Sequence, residues 1–273
     1  MAEGIPAPRK IQLTKEKETL LMTLPAKALD ARSPRPLLGD VTAAKWMADL
    51  DYDFDKLWGF GDEIIVVRAR RIDSWARDFL VRHPDAVVLN LGCGLDTRYF
   101  RLAPPPNVLW FDLDYPDVLE VRRAFCAEAP GYRMLASSVT DPAWLEAVPR
   151  GRPTLVLAEG LLEYLEEAEV KNLLNRLTAL GVGGEMVFDV MNSFAIRAGR
   201  KSLEEATGAR HKWAVDHPGA VDRLDPRLRR LAAVSVFSAG MLRGLPLSRR
   251  LFFVALGVVP RLRGMMRVLR YAF

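Results

Sequence analysis

Cysteine and histidine are scarce in this chain of 273 residues, with two of the first (Cys93, Cys126) and three of the second (His83, His211, His217). So few ligands, with none at metal-binding spacing, argue against a structural zinc site, and no bound metal is expected. Two thiols give no disulfide framework, so a reducing, cytoplasmic setting is the expectation. Long apolar runs are missing too. Residues 251–260 (LFFVALGVVP) are the greasiest stretch, at about half the length of roughly 20 residues that a spanning helix needs. They read as a buried or cap helix, with a surface-lying amphipathic helix as the other possibility. Residues 1–10 are polar and carry prolines, unlike the apolar centre of a secretion signal.

Negative charge is absent from the last part of the chain. Residues 226–273 contain ten arginines and no Asp, Glu or Lys, within a net charge of +5, so the remainder is net acidic. A basic end of this kind suits nucleic acid, an anionic membrane, an acidic substrate, or a solvated face on cap helices. It has few aromatics for stacking on bases, so no nucleic-acid partner is expected.

What is present is half hydrophobic, enough for one large α/β unit with an appended cap. Helical patterns at 14–32, 42–50 and 62–82 precede any strand pattern. From residue 86 the period changes. Short apolar runs at 86–91, 107–113, 132–136, 154–158 and 185–190 read as buried strands. Helices at 116–129, 166–180 and 194–207 alternate with them, and a short helix starts behind Asp141 and Pro142. Residues 231–237 and 267–273 supply a sixth and a seventh strand. This order predicts a mostly parallel seven-stranded α/β sheet with helices on both faces. The organisation expected is a helical cap over 1–85, a nucleotide-type core over 86–193, and cap helices plus the last strands over 194–273, all within one domain.

The sharpest signal is Asn90-Leu91-Gly92-Cys93-Gly94-Leu95-Asp96-Thr97-Arg98, directly after the first strand. Gly92 and Gly94 allow a ligand close to the backbone. Asp112 and Asp114 end the next strand, where an acid reaches ribose hydroxyls in dinucleotide folds. Thr97 stands where a dinucleotide site prefers a third glycine. That substitution disfavours a pyrophosphate, and with it a nicotinamide dehydrogenase, and favours a nucleoside without phosphates such as S-adenosylmethionine.

These segments, LGCGLDTRYFRL and WFDLDYP, resemble the leucine carboxyl methyltransferase family, and within it the bacterial polyketide O-methyltransferase branch. Arg68-Ala69-Arg70-Arg71-Ile72-Asp73, Glu159-Gly160-Leu161-Leu162-Glu163-Tyr164-Leu165, and Glu18-Thr19-Leu20-Leu21 with Lys27-Ala28 fit the same pattern. The resemblance covers residues 14–193 and implies a Rossmann-like class I methyltransferase that uses S-adenosylmethionine. It further implies that Gly92 lies under the methionine part, that Gly94 also binds the cofactor, that Asp114 or Asp112 holds the ribose, and that Arg68, with Lys27, meets the cofactor carboxylate. Glu159 is expected beside the cofactor and Tyr164 near the methyl or the acceptor. Where the family has an acid and an apolar residue against adenine, this chain has Ser138 and Val139, after Ser137.

Methyl transfer from a sulfonium is an in-line displacement that rewards orientation. A carboxylate acceptor needs no base, whereas a phenol gains from one. Since no histidine falls in a motif, the expectation is a small acidic acceptor methylated on a carboxylate, with a phenol next. His211 and His217 are expected at the surface or in packing, and Glu163, Glu166 and Glu167 in a solvated helix start. The other readings are a cofactor-binding regulator without turnover and a methyltransferase of a protein C-terminal carboxylate.

Overall fold

The computed structural model describes residues 9–10, 21–54, 62–180 and 182–273. Its centre is a seven-stranded sheet in the order β5-β4-β3-β6-β7-β9-β8. The strands are β3 (Val87–Leu91), β4 (Leu109–Asp114), β5 (Tyr132–Ala136), β6 (Thr154–Ala158), β7 (Gly184–Met191), β8 (Arg229–Ser235) and β9 (Met266–Ala272). All neighbouring pairs are parallel except those made by β9, which runs antiparallel to β7 and to β8. The seven strands expected from the apolar runs are these seven. A further parallel pair, β1 (Arg9–Lys10) with β2 (Leu50–Asp51), has no counterpart in the pattern.

Both faces of the sheet are covered, which explains why the strands read as continuous apolar runs. Side chains alternate across each strand. Val87, Leu89 and Leu91 pack with Phe111, Val156 and Phe188 on one face, against Val170, Leu173, Leu174 and Leu177 of α6 (Glu167–Thr178). Val88, Trp110, Leu155, Leu157 and Val187 pack on the other, against Ile72, Trp75, Ala76 and Phe79 of α3 (Asp62–Arg82). Helices α1 (Thr23–Arg32) and α2 (Val41–Ala48) bury Leu24, Ala43 and Trp46 in a third cluster with Leu95 of the glycine turn. The cap is therefore joined to the turn that follows β3.

Helix ends follow local chemistry. Asp40 caps α2 by accepting from the Ala43 N–H at 2.9 Å. Asn192 does the same for α7 (Ser193–Thr207) through the Ala195 N–H at 2.8 Å, and Gly208 closes that helix with φ 70°. Between β4 and β5, α5 spans Pro116–Arg123, shorter than the 116–129 pattern; Pro130 and Gly131 already turn the chain toward β5. Of the helix expected over 14–32, residues 14–20 lie outside the described residues, and α1 starts at Thr23.

The greasy run becomes α9 (Leu247–Val258), a surface helix. Phe253 alone is buried in it, while Leu247 (70 %), Leu251 (60 %) and Val258 (75 %) face outward. Several tail arginines have acidic partners from earlier in the chain: Arg249 with Glu63 at 2.6 Å, Arg270 with Glu185 at 2.6 Å and Arg230 with Asp222 at 3.3 Å. Part of the basic end is thus internal charge pairing between the last segment and the rest. No helix among the described residues is long and apolar enough to cross a membrane.

Candidate active site

The carboxyl ends of β3, β4, β6 and β7 open onto a cavity of about 330 Å³, within the usual range for small-molecule sites of about 300–1,000 Å³. Its floor is the glycine turn. Gly92 (φ 62°) and Gly94 (φ 48°) both adopt the left-handed conformation that glycine tolerates without strain. A β-carbon on Gly92 would come to 2.8 Å from a methyl of Leu161. Of the sequence-predicted residues, Lys27, Arg68, Gly92, Gly94, Asp114, Ser138, Val139, Glu159 and Tyr164 all line this cavity.

Asp112 does not. It is fully buried beneath the sheet's end, where Oδ1 accepts from Asn90 (2.8 Å) and Trp110 (2.9 Å), and Oδ2 from the Tyr132 hydroxyl (2.7 Å) and from Arg122. One pleat separates the two candidate acids: Asp112 pairs with Asn90 inside the sheet, whereas Asp114 is the last residue of β4 and reaches the crevice. Asp112 acts on the turn at second hand. Its partner Arg122, also fully buried, donates to the carbonyls of Gly94 (3.0 Å) and Asp96 (2.8 Å) and so holds the glycine turn in place. Asp114 accepts from the Gly94 N–H (2.7 Å) and the Tyr115 N–H (2.8 Å). Burial pushes its carboxyl up to about 6, against those two hydrogen bonds.

Around this floor lies a buried ion network. Lys27 meets Asp96 at 3.0 Å and Glu159 at 3.7 Å; Arg68 donates to Glu159 at 3.0 Å and to Asp189 at 2.9 Å. Arg98 binds Asp73 at 2.7 Å and also reaches Asp96 and Glu159. Arg101 binds Asp73 at 2.6 Å, and Asp40 and Asp96 at 2.9 Å each. Arg98 and Arg101 are therefore fasteners that lock α3 and the α2 cap to the glycine turn. The carboxylates respond accordingly. Burial would raise Glu159, but Lys27, Arg68 and Arg98 outweigh it and hold the group at about 2. Arg101, Arg98 and Lys27 likewise overcome burial and keep Asp96 well below the ordinary carboxylate range.

The same cavity is also lined by Glu163, Tyr164, Met191, Leu203, His211 and Met266, with Glu163 within reach of the charges of Asp189, Arg68 and Glu159. Here the sequence-based expectations for two residues fail. Glu163, expected in a solvated helix start, is only 4 % exposed in a short 3-10 turn (Leu162–Tyr164), while Glu166 and Glu167 are exposed as expected. Its neighbours Leu162 and Leu165 both pack into the core and carry it inward. His211, expected at the surface or in packing, lines the cavity with its ring 4.8 Å from that of Tyr164. The N–H groups of Lys212 (2.7 Å) and Trp213 (3.2 Å) donate to the Glu163 carbonyl and fasten the His211 segment to the turn. No periodicity marks that link, since the histidine sits in a stretch without helix or strand between α7 and α8 (Gly219–Asp222). Burial, with Asp189 next, pushes Glu163 up to about 8, and burial lowers His211. Among the described residues, Arg68 Nε, Glu163 Oε2 and His211 Nδ1 are the buried side-chain polar atoms without a hydrogen-bond partner, and all three residues line this one cavity. Buried polar atoms are normally satisfied, so their convergence marks a place built to receive a ligand.

A parallel sheet with one antiparallel strand beside its end, a left-handed glycine turn and a charge-lined crevice at the carboxyl ends define an S-adenosylmethionine-dependent methyltransferase. The model of the leucine carboxyl methyltransferase family matches residues 21–178. The chain is 42 % identical over 266 residues to the tetracenomycin polyketide synthesis O-methyltransferase TcmP of Streptomyces glaucescens, covering 96 % of this chain and 98 % of that one. It is 36 % identical over 244 residues to the S-adenosyl-L-methionine-dependent methyltransferase dpfgK of Gibberella zeae, with 81 % and 82 % covered. A crystal structure described as that of a putative methyltransferase, from Thermobifida fusca, shares the fold with a TM-score of 0.58 at 18 % identity, over 90 % and 93 % of the two chains. This protein belongs to the leucine carboxyl methyltransferase family.

Proposed function

We propose that this enzyme methylates an oxygen of a small, polyketide-like aromatic acceptor in the cytoplasm. The observation that carries the reading is one continuous cavity whose lining includes both the cofactor-type glycine turn and Glu163, Tyr164, Met191, Leu203, His211 and Met266. Likeness across nearly the whole chain to an O-methyltransferase of polyketide synthesis supports the acceptor class. The thiols of Cys93 and Cys126 are unpaired, which suits a reducing compartment.

The residues present fit S-adenosylmethionine. Arg68 keeps a buried, unpartnered Nε, and Lys27 and Arg68 converge on one oxygen of Glu159. Two cations focused in this way suit a second carboxylate, that of the methionine part. Asp114 retains lone pairs for ribose hydroxyls beyond its two backbone contacts. Gly92 and Gly94 let the ligand lie on the turn, and Ser138 and Val139 border the adenine side. When bound, the cofactor supplies an activated methyl group. The chain supplies alignment and exclusion of water, and orientation of this kind contributes about 7–11 kcal/mol in well-aligned reactions. Tyr164 lines the same cavity with its ring 4.8 Å from that of His211 and is the residue we assign to the side where acceptor and methyl meet. The test is incubation with S-adenosylmethionine and a panel of aromatic polyketide-type acceptors, read by mass spectrometry. A product heavier by one methyl-for-hydrogen exchange on oxygen is expected, and methylation on carbon or nitrogen alone would contradict the reading.

A further inference from the structure

Apolar side chains are spread unevenly over the surface of this protein. Eleven large hydrophobic residues are exposed among the described residues, and five of them fall within residues 247–259. One of the five, Phe252, is engaged with Phe253 and Arg249. The other four form a line. Leu247, Leu251, Val258 and Val259, with exposed Ala255 between them, recur at helical spacing along the outer side of α9 and its end. The inner side of the helix is apolar as well, with Phe253 buried against Phe237. A helix apolar on both sides belongs in a core, yet this one has the core on one side only. A stripe of this kind marks an interaction surface, whereas scattered exposed residues such as Val41 and Val81 do not.

Charge decides what the stripe meets. Arg243 precedes it, Arg250 lies within it, and Arg261 and Arg263 follow it; none of the four has an acidic partner among the described residues, unlike Arg249 and Arg270. Residues 226–273 hold no Asp or Glu to answer them. A second copy of the chain is a poor cover, because two-fold pairing sets this basic rim against itself. Nucleic acid would answer the arginines and leave the aliphatic stripe in water. A protein partner needs hydrogen bonds to fix its register, and the stripe carries no side chain that makes one. An anionic lipid surface answers both features, since headgroups take the arginines and the acyl boundary takes the aliphatic side chains.

We propose that α9 is an interfacial helix that seats the protein on an anionic lipid surface. Leu247, Leu251 and Val258 enter the acyl boundary, and Arg243, Arg250, Arg261 and Arg263 meet the phosphate headgroups. The seat lies beside the cavity. Arg249 ties the start of α9 to Glu63 at 2.6 Å, next to the cavity-lining Ile65 and Arg68 on α3. At the other end, α10 (Pro260–Arg263) leads into Met266, which also lines the cavity, and Asn192 donates to the Arg261 carbonyl at 2.9 Å. On the proposed function, this brings the site to the phase in which a water-insoluble acceptor collects. The lipid contact itself does not depend on that reading.

The test is flotation of the full chain with vesicles of phosphatidylcholine, alone or mixed with phosphatidylglycerol. No cofactor or acceptor is present, so a failure of methyl transfer and a failure of this proposal are separate results. Wild type floats with the mixed vesicles and is released as salt rises from about 0.1 to 1 M, where screening tightens from about 10 to 3 Å. Arg250→Gln, Arg261→Gln and Arg263→Gln together weaken partition by about 100-fold, at about fivefold for each charge removed, and neutral vesicles bind wild type more weakly by a similar factor. Leu251→Asp with Val258→Asp weakens partition by about 100-fold or more. Both variants keep the wild-type melting curve, since the altered side chains lie outside the core. No flotation by folded wild type, equal flotation with neutral vesicles, or wild-type flotation of either variant overturns the proposal. So does a dimer seen by light scattering in wild type and lost in Leu251→Asp with Val258→Asp, because a second copy then covers the stripe.

Discussion

Two groups of residues lining the cavity differ in how fully their polar atoms are paired. At the floor, Lys27, Arg68, Arg98 and Arg101 interlock with Asp40, Asp73, Asp96, Glu159 and Asp189. In the second group, Glu163 Oε2 and His211 Nδ1 have no partner, and the walls are Met191, Leu203 and Met266. The contrast separates two tasks. A charged ligand common to a whole family is held by a rigid, self-compensated frame. On the proposed function, the acceptor is met by a few unpaired groups on short, irregular segments.

Breaking the floor gives the largest expected effect. Arg122→Met leaves Asp112 buried with no counter-charge and frees the Gly94 and Asp96 carbonyls. Removing one partner of a buried pair typically costs about 3–5 kcal/mol. Chemical denaturation is expected to show a loss of that size, and a loss below about 1 kcal/mol would mean that the turn does not depend on this tether.

Acid sharpens the same contrast from another side. Glu159 is held at about 2, below its unfolded value near 4.5. A carboxyl depressed in the folded state stabilises above the unfolded pKa and loses that contribution as pH falls through the folded one. Stability is therefore expected to decline between about pH 5 and pH 2, and less steeply in Glu159→Gln, as thermal melts across that range will reveal. Glu163 behaves the other way. Its folded value of about 8 lies above the unfolded one, so its contribution is fully present below about pH 4.5 and is lost as pH rises through 8. Glu163→Gln is expected to shift the melting midpoint upward at pH 9 relative to wild type, with little change at pH 5.

The same contrast explains what the sequence made legible. The strands were readable because burial on both faces demands continuous apolar runs, as in Val87–Leu91 and Thr154–Ala158. The floor was readable because Gly92, Gly94 and the acids after β4 occupy positions fixed by backbone geometry. The choice between Asp112 and Asp114 was not, since both lie on the same face of one strand, and only the length of β4 and the place of Arg122 separate them. Glu163 looked like a solvated residue because a 3-10 turn has no apolar period long enough to reveal which side faces inward. His211 comes to the site through backbone hydrogen bonds from Lys212 and Trp213 to Glu163, 49 and 50 positions earlier, a contact that leaves no trace in side-chain pattern. The exposed apolar face of α9 was unreadable for a related reason, as its composition gives hydrophobicity but not which side the sheet covers.

The most direct test of the account is calorimetric titration of S-adenosylhomocysteine into wild type and Asp114→Asn at pH 8 and pH 5. The account predicts micromolar binding by wild type at pH 8 and weakening at pH 5, as Asp114 takes up its proton near pH 6. It predicts a loss of about 10- to 100-fold in the variant, with little remaining pH dependence, since one charged hydrogen-bonding partner is worth about 1.5–3 kcal/mol. No binding by folded wild type, or equal affinity in Asp114→Asn, would contradict it.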